Sequence, residues 1–198
     1  MNKESFLYVV VFTFVTAFVF VFVIALADGA TAERVERNRE LVTAQAFLGA
    51  AGFPLSGTVA DLDSYKNAFD QADEDGITTA QIEGRSILAR EFTGQGLWGT
   101  VTGVLAVDSA VSRIIGLDII SHSETPGLGG RIEEDWFKNQ FRNEAIGSDG
   151  IRVLKGEGGI DSNPDNGIVD GVTGASLTSA AMEVMINNEI ARFKEAVQ

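Results

Sequence analysis

The fold is decided by residues 96–108, Gly-Leu-Trp-Gly-Thr-Val-Thr-Gly-Val-Leu-Ala-Val-Asp, and by the run Val-Ser-Arg-Ile-Ile-Gly-Leu-Asp-Ile-Ile-Ser that follows at 111–121. Both runs are rich in β-branched residues that partly alternate with polar ones, and a short turn separates them. This pattern predicts a β-hairpin. Residues 151–154 and 168–172 are expected to complete the sheet, and a short helix is expected between Glu133 and Phe141. The sequence therefore predicts an α+β fold with a mainly antiparallel sheet flanked by helices.

A second informative stretch, Val169 to Ser179, precedes a predicted helix. Apolar residues then recur at three- and four-residue intervals, the period of a helix with one buried face: Met182, Met185, Ile186, Ile190, Phe193 and Val197. The helix is expected to begin between Ser176 and Ser179. Glycines and hydroxyl groups at such a start suit an anion, because free N–H groups and the helix dipole favour negative charge. The stretch is therefore either a phosphate-binding turn or a plain Ser/Thr cap after a glycine turn.

The N-terminal residues Phe6 to Ala27 form an apolar run without charge. As a helix the run is about 33 Å long, which matches a hydrocarbon core of about 30 Å. We expect a single transmembrane helix, with a cleaved signal peptide ending at Ala25-Leu26-Ala27 as the alternative. The flanking charges do not decide the orientation, since Lys3 lies before the run and several arginines lie soon after it.

The next residues, Thr31 to Ala51, are expected to form a second helix capped by Thr31 and ended by Gly52 and Pro54. Gly29 allows a bend between the two helices. The second helix is either a stalk that merges into the globular domain or the first packing helix of that domain. We therefore expect a membrane anchor at 1–28, a juxtamembrane stalk helix at 29–52 and one globular domain at 53–198.

Composition excludes several kinds of site. The formal net charge is −13, and no basic cluster suits nucleic acid. With no cysteine, no thiolate metal centre can form, and redox chemistry needs a bound cofactor. The acidic stretch 56–90 is expected to be short helices and irregular turns. The acidic turns at 73–76 and 161–167 fail the spacing of a calcium loop, and we expect no metal.

Two motifs resemble a known family. Asp-Gly-Val-Thr-Gly-Ala-Ser at 170–176 resembles the flavinylation signature of the RnfG/NqrC family, the FMN-binding subunits of the Rnf and Na+-translocating NADH:quinone oxidoreductase complexes. Glu-Thr-Pro-Gly-Leu-Gly at 124–129 resembles the flavin-side loop of the same family. The resemblance covers roughly residues 94 to 197. It implies an FMN-binding domain in which Ser176, where the family more often has threonine, carries FMN through a phosphoester bond.

The resemblance also implies roles for the neighbouring residues. The turn before the acceptor is formed by Thr173, Gly174 and Ala175, with Thr178 and backbone N–H groups near the remaining phosphate oxygens. The ring or ribityl side is lined by Glu124, Thr125, Pro126, Gly127, Leu128 and Gly129, and Leu128 offers an apolar contact to a flavin face. His122 only shapes this loop. Trp98 is interpreted as a core residue rather than a ring-stacking one.

By the same resemblance, the chain is expected to be a single-pass protein of the cell (inner) membrane with its C-terminal domain outside the cytoplasm. It would relay electrons through FMN to other membrane subunits of an ion-translocating Rnf/Nqr-type complex, not as a stand-alone catalyst. A separate flavin transferase, using FAD and Mg2+, would attach the cofactor. The sequence leaves the Rnf and Nqr types open.

Two other functional classes fit parts of the sequence. A membrane-tethered extracytoplasmic binding module without covalent flavin is the main alternative. A serine hydrolase is disfavoured, because Thr-Gly-Ala-Ser-Leu-Thr lacks the Gly-x-Ser-x-Gly pattern and His122 is the chain's only histidine.

Overall fold

The computed structural model describes residues 6–155 and 161–197. The chain divides into two compact units, Met1–Glu40 and Leu41–Gln198. The helices are α1 (Phe6–Ala51), α2 (Ala60–Ala68), α3 (Asp135–Lys138) and α4 (Ser176–Ala196), with 3-10 turns at Gly129–Glu133 and Asn139–Phe141. The strands are β1 (Ile77–Ile82), β2 (Arg85–Gln95), β3 (Thr100–Asp108), β4 (Arg113–Ser121), β5 (Glu144–Ala145), β6 (Arg152–Lys155) and β7 (Ile168–Gly171).

The described part of the first unit is helical. Among the residues that the structure describes, α1 is the one helix long and apolar enough to cross a membrane, although a signal sequence has the same length and composition. The predicted helix start at Thr31 is wrong, because α1 continues through Gly29 without a break. The Thr31 hydroxyl donates to the Ala27 carbonyl at 2.9 Å, as a residue within a helix does, and so it does not cap a new one.

The second unit is built on a five-stranded antiparallel sheet of order β1-β2-β3-β4-β5. The predicted hairpin is confirmed as β3 and β4. The expectation of short helical and irregular pieces in residues 56–90 is confirmed for α2 but is wrong from Ile77 onward, where β1 and the first half of β2 form a second hairpin. Its two-residue turn, Glu83-Gly84, has positive φ at both positions, which is the turn type that matches strand twist.

The strands β6 and β7 form a separate two-stranded parallel sheet rather than completing the large one. Side chains occupy its outer edges. On the β6 edge, Glu183 of α4 accepts from Val153 N at 2.6 Å, and Asn187 both accepts from and donates to the Ile151 backbone. On the β7 edge, Gln140 makes the same pair of bonds with Asp170. These amides and carboxylates satisfy backbone groups that a further strand would otherwise pair with.

Helices cover both faces of the large sheet. Alternate residues of one strand point to opposite faces, so Leu105 and Val104 belong to different apolar clusters. The first cluster contains the buried face of α4, including Met182, Ile186 and Phe193. The second contains the last turns of α1. The architecture is α+β, as predicted.

Candidate functional site

The two sequence motifs meet in the fold. One follows β4 and continues into the 3-10 turn Gly129–Glu133, and the other begins in the last two residues of β7 and continues into α4. The Thr178 hydroxyl donates to Glu124 Oε2 at 2.6 Å, and both side chains are buried. A Cβ added at Gly174 would lie 3.3 Å from Leu128 Cδ2. Two segments far apart in sequence therefore form one site.

The N-terminus of α4 is open. Its N-cap residue is Ala175, whose methyl side chain accepts no hydrogen bond. The first backbone bond of the helix runs from Ser179 N to Ala175 O at 3.0 Å, so the N–H groups of Ser176, Leu177 and Thr178 have no acceptor within the helix. The alternative of a plain Ser/Thr cap at this helix start is therefore wrong. These N–H groups and the helix dipole together favour an anion at this point.

Burial separates the four hydroxyl residues of the stretch 169–179. Ser176, the first residue of α4, and Thr173 are exposed. Thr178 is fully buried and is committed to Glu124, although the resemblance implies that it lies near phosphate oxygens. Ser179 is also buried; its hydroxyl accepts from Val172 N and donates to Ala175 O, both at 3.0 Å. Of these four residues, Thr173 and Ser176 offer a hydroxyl on the open side.

A phosphate ester fits this arrangement of groups. Gly174 has φ +81°, a conformation that other residues rarely adopt, so the tight turn before Ser176 depends on this glycine. The exposed Ser176 hydroxyl supplies the oxygen for an ester, and the open N–H groups supply donors for the remaining oxygens. The residues present are therefore compatible with FMN held through its phosphate.

The 124–129 loop is divided between buried and exposed residues. Glu124, Gly129 and the adjacent Gly130 are buried, whereas Thr125, Pro126, Gly127 and Leu128 are exposed. The exposed part can face a ligand. The buried part, which the resemblance also assigned to the flavin side, contacts protein instead.

Glu124 is a buried carboxylate that accepts several hydrogen bonds. Oε1 accepts from Trp98 N at 2.9 Å and Oε2 from Thr178. Burial raises the pKa of Glu124, but the hydrogen bonds from Thr178 and from the Trp98 and Leu97 N–H groups outweigh burial, so the pKa lies below its ordinary value. Glu124 is therefore anionic at neutral pH.

His122 shapes the loop, as the resemblance implied. Its Nδ1 accepts from Glu124 N at 3.1 Å, and its Nε2 lies 3.2 Å from Glu133 Oε2. Both ring nitrogens are thus engaged by the loop that follows the histidine.

Exposed apolar side chains surround the two motifs. We call the following residues the apolar rim, with the exposed fraction of each: Leu97 (45%), Trp98 (71%), Leu128 (46%) and Leu177 (66%). The interpretation of Trp98 as a core residue is wrong, because Trp98 lies in the turn between β2 and β3. Leu97 and Leu177 were missed as site residues. The glycines at 96 and 99 indicate the turn, but a sequence pattern does not show which apolar side chains stay exposed.

The acidic side chains do not gather into a metal centre in the described part of the chain. Among residues 6–155 and 161–197, no group of three or more histidine, aspartate or glutamate side chains is placed to hold a metal ion. The 161–167 turn is closed by its own bonds, with Asp161 accepting from Asn163 N at 2.9 Å and from Asn166 Nδ2 at 2.7 Å.

Comparisons with known proteins agree with this geometry. The model of the FMN-binding domain family matches residues 96–191. The NqrC protein of the Na(+)-translocating NADH-quinone reductase of Yersinia pestis is 35% identical over 98 residues, which are 48% of this chain and 36% of that protein. Its counterpart in Pseudomonas aeruginosa is 32% identical over 98 residues, 48% of this chain and 38% of that protein. The match thus spans little more than a third of either relative.

Two solved structures share the fold. NqrC from Parabacteroides distasonis superposes with a TM-score of 0.69 at 22% identity, covering 82% of this chain and 94% of that one. NqrC from Shewanella oneidensis gives a TM-score of 0.67 at 17% identity, covering 80% of this chain and 97% of that one. At such identities the likeness concerns the fold alone. The family match, the relatives in sequence and the shared fold agree: residues 96–191 match the FMN-binding domain family, and the chain is similar to NqrC subunits in sequence and in fold.

Proposed function

We propose that this chain is a membrane-anchored flavoprotein that carries FMN as a phosphoester on Ser176 and relays electrons within an ion-translocating complex of the Rnf/Nqr type. One observation carries the proposal. Ser176 is an exposed hydroxyl residue at the open N-terminus of α4, whereas Thr178 and Ser179 are buried and engaged in hydrogen bonds. Thr173 is exposed too, but it precedes the helix, whose unpaired first-turn N–H groups begin at Ser176.

The attachment reaction balances with FAD as the flavin donor. A flavin transferase with Mg2+ would bind FAD, and the Ser176 oxygen would attack the phosphorus on the FMN side. The new oxygen–phosphorus bond forms as the phosphoanhydride bond breaks, AMP leaves, and the hydroxyl proton passes to a base of the transferase or to water. The phosphodiester monoanion left on Ser176 lies where the dipole of α4 favours negative charge.

The residues of the site then hold and shield the cofactor. The apolar rim supplies Trp98 and Leu128 for contact with a flat apolar ring, and such contacts exclude water from it. The phosphate end is anchored by Ser176 and the first-turn N–H groups. Bound FMN supplies one- and two-electron redox chemistry, which a chain without cysteine cannot supply from its own side chains.

The proposed location and partners follow from the family. The relatives are named as subunits of Na(+)-translocating NADH-quinone reductases, which favours an Nqr-type complex and neighbouring membrane subunits as electron donor and acceptor. The apolar part of α1 suits a single crossing of membrane lipid. With the domain outside the cytoplasm, a covalent bond keeps the cofactor attached where free FMN is scarce.

The proposal is tested by detecting covalently bound flavin on the full chain. Expressed in membranes with a flavin transferase, the protein should give a fluorescent band under ultraviolet light after denaturing electrophoresis, and without the transferase it should give none. A dark band in both cultures would support the alternative, a membrane-tethered binding module without covalent flavin.

A further inference from the structure

The Glu124 carboxylate joins three segments that are distant in the sequence. It belongs to the loop after β4, it accepts from Trp98 N in the turn between β2 and β3, and it accepts from the Thr178 hydroxyl in the first turn of α4. Only 4% of the residue is exposed. The carboxylate therefore lies beneath the site, and the apolar rim and Ser176 lie on the segments that it joins.

Two glycines make room for this carboxylate. A Cβ added at Gly96 would lie 2.5 Å from Glu124 Oε1, and a Cβ added at Gly129 would lie 2.6 Å from both Glu124 Oε2 and Thr178 Oγ1. Real side-chain atoms do not approach so closely. The backbone of two segments is thus packed directly against the carboxylate, and a small shift of Glu124 moves both.

The bonds to Glu124 fix the relative placement of the acceptor serine and the rim. Thr178 lies two residues after Ser176 in the same helical turn, so holding Thr178 holds the N-terminus of α4. On the opposite side of the site, Glu124 holds the turn between β2 and β3, which carries Leu97 and Trp98. Leu128 lies on the same loop as Glu124. A buried hydrogen bond to a charged group is among the stronger single contacts in a protein, since its loss leaves a charge without a partner.

We propose that Glu124 is a positioning residue for the flavin, which sets, through Thr178 and the Trp98 N–H, the distance between the Ser176 acceptor and the apolar rim. This inference rests on the proposed attachment at Ser176. Glu124 is buried, and in this proposal it acts through the two groups that it holds.

Paired variants separate this role from simple folding. Thr178→Val removes the hydroxyl at nearly constant volume, and Thr178→Ser restores it. Glu124→Ala removes both acceptors, whereas Glu124→Gln keeps an acceptor for Trp98 N and a polar partner for Thr178. Glu183→Gln is the matched control, because Glu183 also binds a backbone N–H, that of Val153 in β6, which belongs to neither motif.

The readouts are the initial rate of covalent attachment by the transferase, the visible spectrum of the loaded flavin, and amide hydrogen exchange in the flavin-free protein. Thr178→Val and Glu124→Ala should slow attachment by about tenfold, shift the spectrum, and raise the exchange rate of the Trp98 amide by about tenfold. Thr178→Ser and Glu183→Gln should stay close to the wild type, and Glu124→Gln, which keeps one acceptor but loses the charge, should lose clearly less than Glu124→Ala.

The outcomes distinguish the two proposals. If wild-type protein carries flavin on Ser176 while Thr178→Val shows an unchanged rate, spectrum and Trp98 exchange, the positioning role is overturned and the proposed function stands. If the conservative pair Thr178→Ser and Glu124→Gln loses as much as Thr178→Val and Glu124→Ala, the effect is one of general packing, which also overturns the role. If wild-type protein carries no flavin, the proposed function fails, and the positioning role fails with it.

Discussion

Leu128 is held on a rigid loop but leaves about half of its surface exposed. The loop behind it is fixed by the Leu128 N–H donating to Thr125 O at 3.1 Å and by the contacts of His122 and Glu124. An apolar side chain so placed next to Gly174 gains little from the protein itself. We predict that this side chain contacts the flavin.

Leu128→Ala should therefore keep stoichiometric covalent flavin but change the absorption spectrum or the reduction potential, because the bond at Ser176 does not depend on this contact. Stability should change by no more than about 0.5 kcal/mol, as for other exposed positions. Val184→Ala, an exposed apolar residue of α4 outside the motifs, is the control. An unchanged spectrum and potential in Leu128→Ala would remove the loop from contact with the cofactor.

Glu144 is a second buried carboxylate, and its environment differs from that of Glu124. Burial raises the pKa of Glu144, the N–H of Gly167 at 2.7 Å opposes this, and the charge of Asp161 adds to the rise. Below its ordinary pKa of 4.5 the group is neutral in both folded and unfolded chains. As the pH rises through that value, the unfolded chain ionises first and the folded state loses stability.

Glu144→Gln should consequently be more stable than the wild type at pH 7, with the difference disappearing below about pH 4. The glutamine oxygen can still accept from Gly167 N, so the hydrogen bond is kept. Thermal unfolding as a function of pH measures this. If Glu144→Gln is less stable than the wild type at pH 7, the folded protein favours the ionised form of Glu144.

At the scale of elements, the short helix α2 is anchored by Asp61. Its carboxylate accepts from Ser56 N and Gly57 N in the preceding loop and from Gln45 Nε2 of α1. The Ser56 backbone bond, then the Gln45 and Ser56 side-chain bonds, lower the pKa of Asp61 from 3.8 to about 2. Because the pKa of Asp61 is lower in the folded than in the unfolded chain, the carboxylate stabilises the folded state at pH values above its unfolded-state pKa. This contribution is lost as the pH falls through the folded-state pKa.

Asp61→Asn should thus lower the stability at pH 7 and flatten its pH dependence between about pH 4 and pH 2. The exposed neighbour Asp63 in the same helix provides the control Asp63→Asn. If the stability of Asp61→Asn and that of the wild type depend on pH in the same way, the Asp61 carboxylate does not anchor α2.

The elements that could be predicted are those whose signal is local. The β3–β4 hairpin and α4 have strong periodicity, and both are confirmed. The hairpin of β1 and β2 was missed because its polar edge residues weaken the alternation, although Glu83-Gly84 is a recognisable turn. The separate β6–β7 sheet depends on Gln140, Glu183 and Asn187, which reach it from other elements. These partners meet the sheet only in the folded chain, so a local sequence pattern does not reveal them.

The site also combines features with a local sequence signal and features that depend on tertiary packing. Both motifs were recognised from sequence, and the structure brings them together at Glu124 and Thr178. That Thr178 is buried, and that Trp98 is exposed rather than in the core, depends on how three loops pack. A linear pattern does not contain that packing.

At the scale of the whole molecule, the division into an anchor at 1–28, a stalk at 29–52 and a domain at 53–198 stays a prediction. We predict that the N-terminal segment remains attached and spans the membrane, because its apolar run matches a bilayer and carries no charge. Alkaline carbonate extraction should leave the protein in the membrane pellet. Recovery of mature protein in the soluble fraction, beginning at Asp28, would mean that the segment is a cleaved signal peptide.

The central claim is that one residue, Ser176, carries the flavin, and peptide mass spectrometry of protein matured with the transferase tests it most directly. We predict an adduct of FMN less one water on Ser176, none in Ser176→Ala, and retention in Ser176→Thr. Ser176→Ala should fold normally, with a loss of at most about 0.5 kcal/mol, because the side chain is exposed and does not cap α4. An adduct on Thr173, Thr178 or Ser179, or no adduct at all, would contradict the account.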